Sequence, residues 1–184
     1  MVRKIANWGV TPNQVTLFAL ALSIATGVLL FFYHEQTIVF AIIPVILFVR
    51  MALNAIDGML AREHDQKTPL GNILNELGDV VADAAMYLPF AYVVGVNPIL
   101  IVLIVLFSII SEMTGILGEV IGASRRYDGP MGKSDRAFLF GLLSLLLAIG
   151  VSLQGWGTYL LGLVLILLFA NIGNRIYQAL KEIA

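Results

Sequence analysis

Long apolar runs, interrupted at a few places by carboxylates and amides, decide what this chain can become. About 20 consecutive apolar residues match the hydrocarbon thickness of a bilayer, and a helix of that length satisfies its own backbone hydrogen bonds there. Six such runs are read, at about 15–32, 37–62, 70–94, 98–121, 137–153 and 157–176. The composition agrees, because 59% hydrophobic residues and a mean hydropathy of +0.92 lie outside the soluble range. The expected fold is an all-α integral membrane protein, one domain over 1–184, with six transmembrane helices around a polar cavity.

The ends of the runs set the expected orientation. Residues 1–9 place Val2, Ile5 and Trp8 apart from Arg3 and Lys4, which predicts a short interfacial helix. The opening MVRKIANWGVTPNQ has no apolar core followed by a small-residue cleavage site, so no cleaved signal peptide is expected. Thr11-Pro12-Asn13 reads as a cap and first turn. Arg3, Lys4, Arg62, Lys67, Arg125, Arg126, Lys133, Arg136, Arg175 and Lys181 gather at one set of helix ends, while the loops near Glu35, Asn97 and Gln154 have no Lys or Arg. The positive-inside rule makes the basic side cytoplasmic, with both termini and the cavity facing it, in a bacterial or archaeal inner (plasma) membrane.

The stretch from Asn54 to Asp83 carries the functional signal. Asn54 and Asp57 lie three residues apart, Gly58 follows, and Ala61 and Arg62 come a turn later, so one helix face holds an amide, a carboxylate and a guanidinium. In the next run Gly71, Asn75, Asp79 and Asp83 recur every four residues, with Asn72 and Glu76 close by. A carboxylate near the middle of a bilayer costs at least about 2.5 kcal/mol, so several together call for compensation. A divalent cation suits these oxygens; with no cysteine and only His34 and His64, zinc does not. Arg50 lies mid-span two turns before Asp57, and Glu112 and Glu119 share a face of the fourth run.

These residues resemble the signature of the CDP-alcohol phosphatidyltransferase family, DxxDGxxARx8GxxxDxxxD. Asp57-Gly58, Ala61-Arg62 and, after eight residues, Gly71 match it; the family's first and third Asp fall on Asn54 and Asn75, its second and fourth on Asp57 and Asp79. A second register, with a longer gap, sets the last two Asp on Asp79 and Asp83 and puts Asn75 at the Gly position. The resemblance implies transfer of a phosphatidyl group from a CDP-activated lipid, such as CDP-diacylglycerol, to an alcohol acceptor with release of CMP. It implies Mg2+ or Mn2+ held by Asn54, Asp57, Asn75, Asp79 and Asp83, and a catalytic base at Asp79 or Asp83. Gly58, Ala61, Arg62, Gly71, Asn13 and Thr16 would line the nucleotide side, and Arg125, Arg126, Lys133, Asp135 and Arg136 the acceptor side.

The acceptor itself is open, with a weak tilt toward a phosphorylated one from the basic loop. Membrane lipids are expected partners and nucleic acid is not; Gly and Ser on the third to fifth runs permit a homodimer. Two other readings compete: a family relative impaired in turnover, motivated by Asn54 and Asn75, and a small transporter, since acidic stripes also line cation paths.

Overall fold

A computed structural model describes residues 2, 6, 8–63 and 66–184. The described residues form no strand and are organised as six long helices, α1 Pro12–Tyr33, α2 Thr37–Glu63, α3 Pro69–Tyr87, α4 Pro98–Val120, α5 Lys133–Ala148 and α6 Gly157–Ile183, with a 3-10 turn at Leu88–Tyr92. The interfacial segment expected over 1–9 lies mostly outside these residues, as do His64 and Asp65 of the polar loop after α2.

Local chemistry sets most boundaries. Thr11 caps α1: its hydroxyl accepts from the Gln14 N–H, Gln14 Oε1 accepts from the Thr11 N–H, and Pro12 fills the first helical position. Thr68 repeats the device on α3, its hydroxyl accepting from the Gly71 N–H at 3.0 Å, and Asn97 caps α4. The third run ends its α-helix at Tyr87 and continues as a 3-10 turn, because Pro89 has no N–H for the ladder. The fifth helix begins at Lys133, four residues before the expected span, because Asp135 Oδ2 accepts from the Gly132 N–H. Arg136 therefore sits on a helix and not in a loop.

Four helices, α1, α2, α4 and α6, are long and apolar enough to cross a bilayer. The other two differ for a reason connected to the site. α3 carries Asn72, Asn75, Glu76, Asp79 and Asp83, and α5, at 16 residues, opens with Lys133, Asp135 and Arg136. Their outward faces are nonetheless apolar, with Ile73, Leu77 and Phe138 exposed like Phe18, Phe48 and Ile166 on the longer helices.

In a bilayer apolar residues gain little by leaving lipid, so close packing and internal polar bonds hold the helices together. α1 packs against α2 and α3, α2 against α5, and α4 against α6. Gly27 permits the α1–α3 approach, since a Cβ there would overlap the Ala85 carbonyl. The buried hydroxyls of Ser23, Ser108 and Ser144 each donate to the carbonyl four residues back, so they need no partner across the interface. An apolar core built on Phe40, Ile43, Leu47, Phe90 and Ile104, with Tyr87 stacked on Phe140 at 4.1 Å, joins α1 to α6, and a smaller cluster of Val15, Ile56 and Leu60 ties α1 to α2. Polar side chains bridge α2 and α3.

Candidate active site

Asn54 and Asp79 join the two motif helices directly. Asn54 Nδ2 donates to Asp79 Oδ1 at 2.9 Å, and Arg50 donates to the Asp79 backbone carbonyl at 3.2 Å, so the polar flanks of α2 and α3 face each other. Two cavities lie on either side of this link, and Asn54 and Asn75 line both.

The first cavity, of about 260 Å³, is walled by the start of α1 (Asn13, Thr16), the last turns of α2 (Asp57, Gly58, Ala61, Arg62), the loop with Gln66 and Lys67, and the start of α3 (Gly71, Asn72). All six residues expected on the nucleotide side meet here. Gly71 lets Asn13 lie close, since a Cβ at that position would stand 2.8 Å from Asn13 Oδ1 and displace that side chain. Asp57 is buried and accepts from the Thr16 hydroxyl at 2.8 Å. Arg62 does not reach Asp57; its Nε donates to the Gly58 carbonyl. Among the described residues Asp57 makes no ion pair, so this buried carboxylate is held by neutral donors, the Thr16 hydroxyl and the Gly58 backbone.

The second cavity, of about 440 Å³, lies between α3, α4, the 121–132 loop and the starts of α5 and α6's polar end. Arg125, Lys133 and Asp135 of the expected acceptor set line it. Lys133 Nζ lies 2.5 Å from Asp79 Oδ2, and Arg125 grips Glu76 through two bonds of 2.9 and 2.5 Å while its guanidinium lies over the Tyr127 ring. The other two expected residues point elsewhere. Arg126 pairs with Asp128 and Glu182 on the surface, and hydrogen bonding to Asp128 raises its pKa above the ordinary arginine value. Arg136 is fully buried and pairs with Asp83 and Glu112.

Asp83 lies outside both cavities. One of its oxygens is 2.5 Å from Arg50 Nη1 and the other 3.1 Å from Arg136 Nη2. Arg136 continues to Glu112, and Glu112 to Arg175, so a buried ion network ties α2, α3, α4, α5 and α6. Arg175 also donates to the Ser111 and Asp128 carbonyls and, with Asn171, pins the 121–132 loop. Sequence reasoning did not assign Arg175 to the site. A guanidinium one turn after Asn171 in an apolar run was the signal available.

Hard oxygens for a divalent cation are present around the shared wall, in Asp57, Asp79, Asn54 and Asn75, but no group of three or more His, Cys, Asp or Glu side chains is placed for one among the described residues. Asp79 already faces an ammonium and an amide N–H, and Asp83 two guanidinia. The buried Asp57 carboxylate, next to the Asn54 and Asn75 amides, is the fragment that fits a single ion completed by ligand oxygens.

The sequence profile of the CDP-alcohol phosphatidyltransferase family matches residues 9–170. The inner membrane protein YnbA of Escherichia coli is 49% identical over 166 residues, covering 90% of this chain and 82% of YnbA. The archaetidylinositol phosphate synthase of Pyrococcus horikoshii is 26% identical over 181 residues, 98% of this chain and 89% of its own. Among solved structures, Mycobacterium tuberculosis phosphatidylinositol phosphate synthase in complex with manganese and citrate superposes with a TM-score of 0.77 at 17% identity, over 97% of this chain and 86% of that one. The same enzyme with CDP-DAG bound gives 0.72 at 19%, over 98% and 90%. At such identities the likeness speaks for the fold.

Proposed function

From the premise that the chain belongs to the CDP-alcohol phosphatidyltransferase family, we propose that it transfers the phosphatidyl group of a CDP-activated lipid to an alcohol and releases CMP. The observation that carries this reading is the pair of cavities meeting at Asn54 and Asn75, with Asp57 in one and Asp79 in the other. A two-substrate displacement needs that arrangement: a donor and an acceptor on opposite sides of the reacting phosphorus.

In the first cavity Gly58, Ala61 and Gly71 leave room for cytidine against the backbone, and Arg62 and Lys67 supply positive charge for the diphosphate. Asp57 with the amide oxygens of Asn54 and Asn75 is the set that would hold Mg2+ or Mn2+, and such an ion supplies neutralisation of the diphosphate. A smaller cavity of about 140 Å³, lined by Leu47, Met51 and Ala137 beside Asn54 and Lys133, gives the lipid portion a path toward the apolar face between α2 and α5.

The acceptor hydroxyl enters the second cavity and gives its proton to the Asp79 carboxylate. Its oxygen bonds to the phosphorus that carries the lipid, and the bond from that phosphorus to the bridging oxygen breaks, so CMP leaves with the electron pair. Lys133, 2.5 Å from Asp79 Oδ2, orients that carboxylate toward the acceptor cavity. Asp83 keeps a structural place, because both its oxygens face arginine. The basic residues that gather around these cavities support, through the positive-inside rule, a site open to the cytoplasm.

Purified protein given CDP-diacylglycerol, Mn2+ or Mg2+ and a panel of alcohols is expected to release CMP, and Asp57→Asn or Asp79→Asn to lower the rate by about 100-fold or more with the fold retained. No CMP from any acceptor, with CDP still bound, would leave a binding protein without turnover. Neither binding nor release would favour transport.

A further inference from the structure

We infer that the acceptor taken by this chain is an uncharged polyhydroxy alcohol, not a phosphorylated one. The inference deepens the transferase reading and rests on it.

Basic residues in the acceptor cavity suggest a phosphate site only until their partners are counted. Arg125, Lys133 and Arg175 line the cavity together with Glu76, Asp79, Glu112 and Asp135, one more carboxylate than there are cations. Each cation already faces a carboxylate, and within the Arg125 guanidinium only Nη1 is left without a hydrogen bond. Arg125 presents its planar fork to Glu76 and is also 3.6 Å from Glu112; Lys133 is against Asp79; Arg175, 1% exposed, is held by two backbone carbonyls and lies 3.5 Å from Glu112.

A phosphomonoester brings about −1.5 to −2 charges and wants an open guanidinium fork. A carboxylate of this chain occupies that fork here, so phosphate would have to displace Glu76 and leave two like-charged groups in a half-buried site. Repulsion would add to the loss of the bidentate pair. Hydroxyl groups make no such demand, since each can donate to a carboxylate oxygen and accept from Lys133 or Ser134 with every existing ion pair intact. The acidic excess that opposes phosphate is thus an array of acceptors for a polyol, with Asp79 among them to take the proton.

The test uses the full chain in detergent with CDP-diacylglycerol and Mn2+. Glycerol is set against glycerol 3-phosphate and inositol against inositol 1-phosphate at equal concentration, with serine alongside, and CMP release is measured. The uncharged member of at least one pair is expected to be used about tenfold or more faster than its phosphorylated partner. Equal or faster use of the phosphorylated members, or turnover with serine alone, would overturn the inference. Equilibrium binding of glycerol 3-phosphate and of inorganic phosphate, by calorimetry with the first cavity saturated by CDP, reads the acceptor cavity without turnover. If no acceptor releases CMP, the transferase reading fails and the acceptor assignment falls with it; where CMP is released, saturable glycerol 3-phosphate binding below about 10 mM overturns the inference on its own. Glu76→Gln, which frees the Arg125 fork, is expected to shift the glycerol 3-phosphate to glycerol ratio upward by about tenfold. The wild-type comparisons stand whether or not that variant folds.

Discussion

Asn54→Asp tests what the amide does where the family signature has a carboxylate. The Asn54 Nδ2 atom lies 2.9 Å from Asp79 Oδ1, so the substitution sets an anionic oxygen against another. At an effective dielectric constant of about 20, unit charges about 4 Å apart repel by about 4 kcal/mol, and the lost bond to a charged group removes about 1.5 kcal/mol more. Lys133, 2.5 Å from the other Asp79 oxygen, and rotation of the new side chain offset part of this. The expected net loss of stability is about 3 kcal/mol in the absence of divalent ions. A divalent cation reverses the sign, because the introduced carboxylate adds a second anionic ligand to the set of Asp57 and the Asn75 amide. At a metal concentration of about 100 times Kd the bound ion returns about 2.7 kcal/mol. The assay is the apparent Tm of the purified protein in detergent, in EDTA and across a Mn2+ titration. Asn54→Asp should melt well below wild type in EDTA and approach it as Mn2+ saturates. Equal melting in EDTA, or the same Mn2+ response in both proteins, would refute the placement of Asn54 as a substitute for charge neutralisation.

Two further changes probe the scaffold and the nucleotide side. Arg136→Met removes a fully buried cation shared by Asp83 and Glu112, which keep Arg50 and Arg175 as partners, so a loss of about 3 kcal/mol is expected, whereas Arg126→Ala, which breaks only surface pairs, should leave the apparent Tm near wild type; comparing apparent Tm values checks the contrast. Gly71→Ala puts a methyl group 2.8 Å from Asn13 Oδ1 and 3.0 Å from Thr68 Oγ1, so CDP affinity should fall by about tenfold or more through a strain of about 1–3 kcal/mol, measured by equilibrium binding.

The legible part of the site is the part written within one helix. Residues three and four apart share a face whatever surrounds them, so Asn54, Asp57 and Gly58 on α2, and Gly71, Asn75 and Asp79 on α3, could be placed from spacing, and the structure brings them to one wall. The same periodicity misled at Asp83, which continues the stripe in sequence but lies a turn deeper, where Arg50 and Arg136 claim both oxygens. Spacing gives a direction around the helix axis, and depth along it is set by what the neighbouring helices supply. The capping chemistry at Thr11 and Thr68 was legible for a similar reason, since cap and first turn are adjacent in the chain.

Pairing between helices could not be read that way. Arg125 and Glu76 are 49 residues apart, Arg136 and Asp83 53, and Ser111 and Asn171 60, and no local rule links them. Reading 125–136 as a basic loop was sound as an account of charge along the chain, yet two of its cations turn away from the cavity and two others are held by acids from α3. The consequence bears on chemistry as well as on fold. In a low-dielectric site a cation committed to a carboxylate no longer advertises for phosphate, so acceptor choice depends on which charges are already paired, not on how many there are. Glu76, one residue beyond a motif position, sets that balance here by occupying the fork of Arg125.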